Sequence, residues 1–417
     1  MGSSNTDIMG NLLKKDILII GSGAAGMMTA ISAGIHGAKK ITLLDVAPNP
    51  GIKILMSGGG RCNITNAELD YKNYFGESPN AIKKVILQFP PEKVIEFFES
   101  EGLQTKIEAP WNKYFPVTDK AQSVLNVLLK KMNELDVELI YPEKVTDFFP
   151  ENNKWVVKSD RTVYQTEKLA LAFGGFSYPH TGSDGSLWKV LKKLGIELKN
   201  DHAALTSLKT SDKDTHSISG VTQWCKVSVK QNEKLIFTEN NSILFTHDGL
   251  SGPGILDISQ WFTSNEFAKF YKLELSFITD KNEEEFELIM LNSSPDNQKQ
   301  LVSKLLSKFI PNRLSELISV RSKTSGKSVN QLAKNERKEI LNLLFHFNPT
   351  ISGHFGYKKA EVTAGGIPFS ELDLKTMQLK KYPNLFAVGE VVNVNGIIGG
   401  YNFQWAWSSG WVCGKNL

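Results

Sequence analysis

Short, largely apolar runs recur along the chain. Ile17–Ile20 and Ile41–Leu44 are four-residue runs of this kind, as is Leu385–Val388 near the other end, and Leu169–Phe173 is one residue longer. Such runs predict parallel strands buried on both faces. Met27–Ala38 is mostly small or apolar and predicts a buried helix between the first two. Over 80–135, Val94, Phe97 and Phe98, then Val124, Val127, Leu128 and Met132, share faces at helical spacing. Leu139–Val145 and Trp155–Val157 read as strands of a small sheet. From 200 to 280 the period changes to two: Val227/Val229, Leu235/Phe237 and Leu273/Leu275/Phe277 alternate with polar residues. That pattern predicts antiparallel strands, read here as a small barrel. From 282 to 347 the helical period returns through Leu301, Leu305, Phe309, Ile340, Leu341 and Leu344. No internal repeat is visible, and Glu283-Glu284-Glu285 is a solvated charge run.

The first strand is followed at once by Gly21-Ser22-Gly23-Ala24-Ala25-Gly26. A G-x-G-x-x-G run has meaning between a strand and a helix. Gly21 permits the tight turn, Gly23 lets a pyrophosphate reach the backbone, and Gly26 lets helix and strand pack closely. Ala24 and Ala25 complete the run, which leads into the helix whose N-terminus faces the phosphates. Asp45 ends the second strand, where a carboxylate would accept ribose hydroxyls. These features mark a dinucleotide site without choosing between NAD and FAD. Gly51-Ile52-Lys53 then leads to Ser57-Gly58-Gly59-Gly60-Arg61-Cys62-Asn63. Consecutive glycines can form a nest of backbone N–H groups. Lys53, Arg61 and Asn63 add charge and hydrogen-bonding groups. Gly174-Gly175 after the Leu169 strand lets the chain pass close to a cofactor. Val145 offers extended backbone to an adenine.

The C-terminal strand ends in Gly389-Glu390, and Gly399-Gly400-Tyr401-Asn402 opens a helix carrying Trp405, Trp407 and Trp411. The positive end of that helix would favour an anionic reduced flavin ring. Glu390 would accept from a ribityl or ribose hydroxyl. The tryptophans read as core.

Ser57–Asn66, Thr246-His-Asp-Gly-Leu-Ser-Gly-Pro253, Thr363-Ala-Gly-Gly366 and Gly389-Glu390 with Gly399–Asn402 resemble the BaiN-like family of FAD-dependent oxidoreductases. That family includes aminoacetone oxidase-like and bile-acid reductase-like flavoproteins. Phe115–Asp119, Gly174–Pro179 and Thr181–Ser183 are similar to family motifs as well. The resemblance implies non-covalent FAD on an α/β, Rossmann-like domain of the glutathione reductase type, interrupted by an insert. Its expected extents are 16–197 with 356–417 for the FAD domain. The β-barrel insert takes 198–281 with 348–355, the helical insert 282–347, and a flexible leader 1–15. The chain departs from the family pattern at Ile52, Lys113, Phe176 and Asn393, where a basic residue, Arg, Lys and Asp respectively are usual.

Composition adds exclusions. Hydrophobic residues at 41% and charged residues at 22% exclude a disordered or collagen-like chain. A net charge of +4 on 417 residues does not by itself call for nucleic acid. The 3 cysteines, Cys62, Cys225 and Cys413, form no pair or zinc pattern, so a reducing, cytoplasmic setting and no metal are expected. No run reaches the ~18 apolar residues a membrane helix needs. Met1-Gly2-Ser3-Ser4-Asn5-Thr6 fits the loose myristoylation pattern but reads as part of the leader.

The expected chemistry is flavin redox on a small molecule, reducing an activated C=C bond or oxidising an amine or alcohol. No second strand–glycine–helix unit is present, so either NAD(P)H docks transiently or the substrate itself reduces the flavin. Proton-transfer candidates are His247 and Tyr401, with Arg61 as an electrostatic partner; Tyr178 and His180 are further titratable groups. The small-molecule reading expects no nucleic-acid partner. The alternative is an RNA-acting flavoprotein akin to tRNA-modifying enzymes, which the basic run Lys323, Lys327, Lys334, Arg337 and Lys338 would serve.

Overall fold

The buried aliphatic runs form a five-stranded parallel sheet. In chain order its elements are β1 (Leu12–Ile20), α1 (Ala24–Ile35), β2 (Ile41–Leu44), β3 (Glu138–Ile140), β4 (Val163–Leu171), β5 (Leu385–Ala387) and α2 (Tyr401–Gly414). The strand order is β3-β2-β1-β4-β5, the doubly wound arrangement of dinucleotide-binding domains. Ile20 lies opposite Leu44 and Leu171, and Leu171 opposite Ala387, so β1, β2, β4 and β5 end at one edge. An antiparallel hairpin, Val145–Glu151 with Lys154–Ser159, adds to β4. The structure is a computed structural model and describes residues 12–264, 268–292 and 298–417.

The chain divides into two compact units, one up to His202 plus Glu361–Leu417, the other Ala203–Ala360. The sequence reading places these boundaries at 198 and 356. In the first unit, α1 and α2 pack through small residues. A Cβ on Gly410 would lie 2.6 Å from the Ala25 carbonyl oxygen, and one on Gly414 2.3 Å from that of Thr29. The Ser32 hydroxyl donates to the Trp411 carbonyl at 2.7 Å across the same contact. Trp405 and Trp407 are buried, in keeping with their reading as core.

The second unit carries an antiparallel sheet in the order Tyr271–Ser276, Thr222–Gln231, Lys234–Thr246, Gly249–Ser251, Leu208–Thr210, Ile351–His354. A bridge from Leu275 to Phe347 links the first strand to the approach to the last. Helices Glu283–Leu291, Val302–Leu306, Asn312–Arg321 and Lys334–Phe345 share its core through Phe286, Leu305, Ile318 and Leu344.

Three local expectations change. The first strand begins at Leu12, inside the expected leader, because Leu12–Lys15 pair with Val163–Thr166. Residues 1–11, including Gly2, lie outside the described residues. The helical stretch 80–135 contains a hairpin, Thr105–Glu108 with Lys113–Pro116, turning through Pro110 and a left-handed Asn112. The strand read over Leu139–Val145 is two strands, since Pro142 ends β3's run before the hairpin starts at Val145.

Gly410→Val tests the helix contact. Overpacking of this kind costs about 1–3 kcal/mol, so thermal unfolding should begin several degrees lower. An unchanged melting temperature would show that α1 and α2 have room to separate.

Candidate dinucleotide site

The loops beyond the strand ends are built around positions where a side chain cannot fit. Gly21 has φ +106°, and a Cβ on it would meet the Ala172 carbonyl oxygen at 2.4 Å. A Cβ on Gly26 would meet the Gly21 carbonyl oxygen at 1.8 Å. Gly23 differs: no atom lies within 4 Å of where its Cβ would be. Gly23 is also the N-cap of α1 and gives it no side-chain cap. The first N–H groups of a helix lack intrahelical acceptors, so Ala24, Ala25 and Gly26 present donors around an open cradle. That donor set and space fit a pyrophosphate.

Asp45 stands where the sequence reading puts it, at the end of β2. Its Oδ2 accepts from the Ser22 N–H at 2.5 Å and the Ser22 hydroxyl at 2.6 Å, and Oδ1 accepts from the Ala47 N–H at 2.7 Å. The Asp45 carbonyl accepts from the Glu143 N–H at 2.6 Å, bringing the approach to Val145 alongside. Val145 itself is buried.

Glu390, read in the sequence as an acceptor for a cofactor hydroxyl, has partners within the protein. Its Oε2 accepts from Lys53 Nζ at 2.8 Å, and its Oε1 accepts from the Ser177 hydroxyl at 2.7 Å and the Thr363 N–H at 2.9 Å. Lys53 also donates to the hydroxyls of Ser177 at 2.8 Å and Ser183 at 3.1 Å. Burial pushes the Glu390 carboxyl up, but the Lys53 charge and these hydrogen bonds outweigh it and hold the group below its ordinary value. Gly174 and Gly175 make room for the network: Cβ atoms there would lie 2.7 Å from Ser183 Oγ and 2.4 Å from Thr363 Oγ1. Ser177, Ser183 and Thr363 stand in motifs visible in the sequence, but their role as partners of Lys53 and Glu390 is not.

In the Ser57–Gly60 turn, Gly58, Gly59 and Gly60 have φ of +56°, +67° and +86° and are exposed. Arg61 does not offer a free charge to a cofactor. Its Nη1 donates to both oxygens of Glu108, at 2.9 and 3.1 Å, and its guanidinium lies 4.1 Å over the Phe115 ring. Cys62 is buried and its thiol is pushed up to about 12 by that burial, so it remains neutral beside Arg61.

The turn is stitched to α2. With its amide oriented to match donors with acceptors, Asn63 donates to the Tyr114 and Thr65 carbonyls at 3.1 and 2.9 Å and accepts from the Gly400 N–H at 3.0 Å. Gly400 must be glycine: φ is +91° and a Cβ would lie 2.5 Å from the Thr65 carbonyl carbon. Gly389 sits against α1, its Cβ position 2.7 Å from that of Ala25, and its carbonyl accepts from Trp405 Nε1 at 3.0 Å. Two expected contacts are spent internally. Asn402 pairs with both backbone groups of Gly396 at 2.9 Å. Tyr401 is buried, and its hydroxyl accepts from the Asp70 N–H at 3.2 Å and from Asn73 Nδ2 at 3.4 Å.

Two departures from the family pattern have local reasons. Phe176 packs on Trp188, ring centroids 4.9 Å apart, over the bare face of Gly185. Asn393 Nδ2 donates to the Gly76 carbonyl and to Glu77 Oε1, each at 2.9 Å, where an Asp would meet two acceptors. His247 belongs to the second unit, exposed on the turn between strands Lys234–Thr246 and Gly249–Ser251. In the expected basic run, Lys327 is spent on Glu336, and Arg337 Nε lies 3.6 Å from Glu287. Among the described residues no three His, Cys, Asp or Glu side chains are grouped to hold a metal, and no helix is long and apolar enough to cross a membrane.

Fold and site together define a dinucleotide-binding protein of the doubly wound class. The family model described as "HI0933-like protein Rossmann domain" matches residues 15–416, and the chain belongs to that family of FAD-dependent oxidoreductases. A ribosomal RNA dihydrouridine synthase of Escherichia coli K12 is 31% identical over 96% of this chain and 98% of its own. A protein of the same name from Haemophilus influenzae is 29% identical, over 96% and 98%. A 3-dehydro-bile acid delta(4,6)-reductase of Clostridium scindens is 29% identical, over 95% and 97%. Among solved structures, a variant of E. coli quinol fumarate reductase FrdA covers 97% of this chain with TM-score 0.53 at 14% identity, 70% of that chain being matched. A 3-ketosteroid delta1-dehydrogenase of Sterolibacterium denitrificans covers 96%, with 98% of that chain, TM-score 0.51 and 11% identity. At such identities the structures speak for the fold alone.

Two variants test the site. Gly23→Val should leave the unfolding of the cofactor-free protein within about 0.5 kcal/mol, because the position is open, while FAD titration shows lost affinity. Full FAD affinity would remove Gly23 from the cradle. Glu390→Gln should cost about 1.5–3 kcal/mol at pH 7, the range for a hydrogen bond to a charge. Because the folded carboxyl lies below its unfolded value of about 4.3, its stabilisation is complete above that pH and is lost as pH falls through the folded value. The gap between wild type and variant in urea should therefore shrink on acidification; a gap constant with pH would show that the charge contributes nothing.

Proposed function

We propose that this protein uses FAD to reduce a carbon–carbon double bond conjugated to a carbonyl. The supporting observation is that relatives with different substrates, each aligned over at least 95% of this chain, carry names for the same change. Dihydrouridine is uridine with the ring C=C beside a carbonyl saturated. A delta(4,6)-reductase acting on a 3-dehydro compound saturates C=C bonds in line with a ring ketone. In this reading Gly21, Gly23, Ala24, Ala25 and Gly26 hold the pyrophosphate, Asp45 turns to a ribose, and Val145 borders the adenine. Lys53, fixed by Glu390, Ser177 and Ser183, is the positioned cation of the site, and the Ser57–Gly60 amides complete it.

FAD would supply the two-electron carrier that the side chains lack. Saturating the double bond also needs a proton. His247 is the side chain proposed to deliver it, because it lies in the segment that resembles the family and carries that segment's imidazole, the side chain most often used for proton transfer. NAD(P)H, docking transiently, is the proposed reductant. The substrate expected from the sequence is a small free molecule. A second reading, a uracil in ribosomal RNA, is favoured by the two dihydrouridine synthases matched from end to end.

The test is to reduce the FAD-loaded protein without oxygen and offer it a ring dienone or unmodified ribosomal RNA. Flavin reoxidation together with a product two hydrogens heavier by mass spectrometry is the expected result with one of them. Reoxidation only by amine- or alcohol-derived carbonyl products would overturn the C=C assignment. His247→Ala should slow the competent reaction ~10²–10⁴-fold with FAD content intact; a loss under about threefold would remove His247 as the donor.

A further inference from the structure

One aromatic ring of the second unit has two ammonium groups over it. Strand Leu208–Thr210 pairs with Ile351–His354, Lys209 lying opposite Gly353. The Phe355 N–H continues the pairing by donating to the Ser207 carbonyl at 3.3 Å. Gly356, with φ +67°, then turns the chain, and its carbonyl accepts from the N–H groups of Lys359 at 3.2 Å and Ala360 at 3.1 Å. The turn brings Lys359 Nζ 4.6 Å above the Phe355 ring, and Lys209 Nζ reaches the same ring from the next strand at 5.2 Å. Lys209, Lys358 and Lys359 are exposed and Phe355 is half-buried.

The acids around this cluster are mostly committed elsewhere. Arg321 binds Asp214 at 2.7 Å and lies 3.8 Å from Asp212. Asp248 lies at the rim, its carbonyl accepting from the Thr210 N–H at 3.1 Å, and Glu361 follows Lys359 by two residues. Asp248 and His247 form the turn of the neighbouring hairpin, so the segment resembling the family borders the cluster. His354, opposite Leu208, is held below its ordinary value by burial and then by the Lys209 charge. The neighbourhood is therefore net positive, with a flat apolar ring at its centre.

We propose that Lys209, Phe355, Lys358 and Lys359 form a binding surface for single-stranded RNA, the ammonium groups on phosphates and the ring under a base. An exposed lysine over a ring can swing its ammonium to a phosphate and leave the ring face to a base; unpaired nucleic acid offers both, because every base has a stacking face and every linkage a charge. This surface rests on the RNA reading of the substrate and adds a place for the strand to bind.

The test is fluorescence anisotropy of a labelled single-stranded ribosomal RNA fragment on the FAD-loaded protein across a salt series. A variant combining Lys209→Gln, Lys358→Gln and Lys359→Gln should bind at least tenfold more weakly, and its log K against log salt should flatten by about 2, since each phosphate contact on a single strand contributes ~0.7. Phe355→Leu should weaken binding ~5-fold or more with the slope kept. A control combining Lys323→Gln, Lys334→Gln and Lys338→Gln carries the same change of net charge and should keep wild-type affinity. If wild type does not bind RNA, the RNA reading falls and this surface with it. If wild type binds but the first variant binds as well as wild type, or no worse than the control, the surface is refuted while the RNA reading stands. Thermal unfolding and FAD content verify the fold. Should the triple variant unfold, Lys359→Gln alone must still flatten the slope by ~0.7.

Discussion

Lys53 and Glu390 lie 337 residues apart in the chain and 2.8 Å apart in the fold. Around this pair the segments carrying Ser177, Ser183 and Thr363 converge, so four stretches that follow different elements share one charge-assisted network. Such a network is costly when incomplete, since a partly buried charge without its partner retains its desolvation penalty. The pair is also demanding sterically. Gly174 and Gly175 are required because the hydroxyls that complete the network occupy the space a Cβ would need. The loops beyond the strands are therefore placed by one another as much as by the sheet beneath them.

The same economy of space governs the helices. α2 returns from the far end of the sequence and lies against α1 with two glycines facing backbone carbonyls. Trp405 and Trp407 then donate to the carbonyls of Gly389 and Ile64, at 3.0 and 2.9 Å. These indoles hold the turn after β5 and the Ser57–Asn66 segment in fixed relation to one helix. A rigid frame matters for a cofactor site, because donors aimed in advance need no reordering when the ligand binds. Gly23 shows the complementary feature: it is the glycine of the first motif whose missing side chain is filled by nothing.

Much of this was legible in the sequence, because periodicity and glycine spacing are local. The parallel strands, the G-x-G-x-x-G turn and the change to a two-residue period near 200 follow from neighbours in the chain. The first strand's early start at Leu12 is not local: Lys14 and Lys15 become strand because β4 offers them a pairing edge. Partner choice was likewise illegible. Arg61, Tyr401, Asn402 and Glu390 have the chemistry a cofactor contact needs, yet each finds its partner within the protein, through Glu108, the 70–73 turn, Gly396 and Lys53. Residue type tells what a group can bind, and only the fold tells what binds it first.

Charge follows the same logic on the second unit. A net charge of +4 over 417 residues says little about partners, because what a ligand meets is the charge left over after internal pairing. Glu336 is spent on Lys327, Glu274 on Lys230, and Asp212 and Asp214 face Arg321. Such pairing leaves the total unchanged. It also fixes where the remainder sits. The basic run in the helical region looks strong as a string of letters but loses Lys327 to its own acid. Lys209 and Lys359 look isolated in the sequence, 150 residues apart, yet the strand pairing and the Gly356 turn bring them over one ring. A weak overall charge and a locally basic surface are thus compatible, and the distribution rather than the sum carries information about a polyanionic partner.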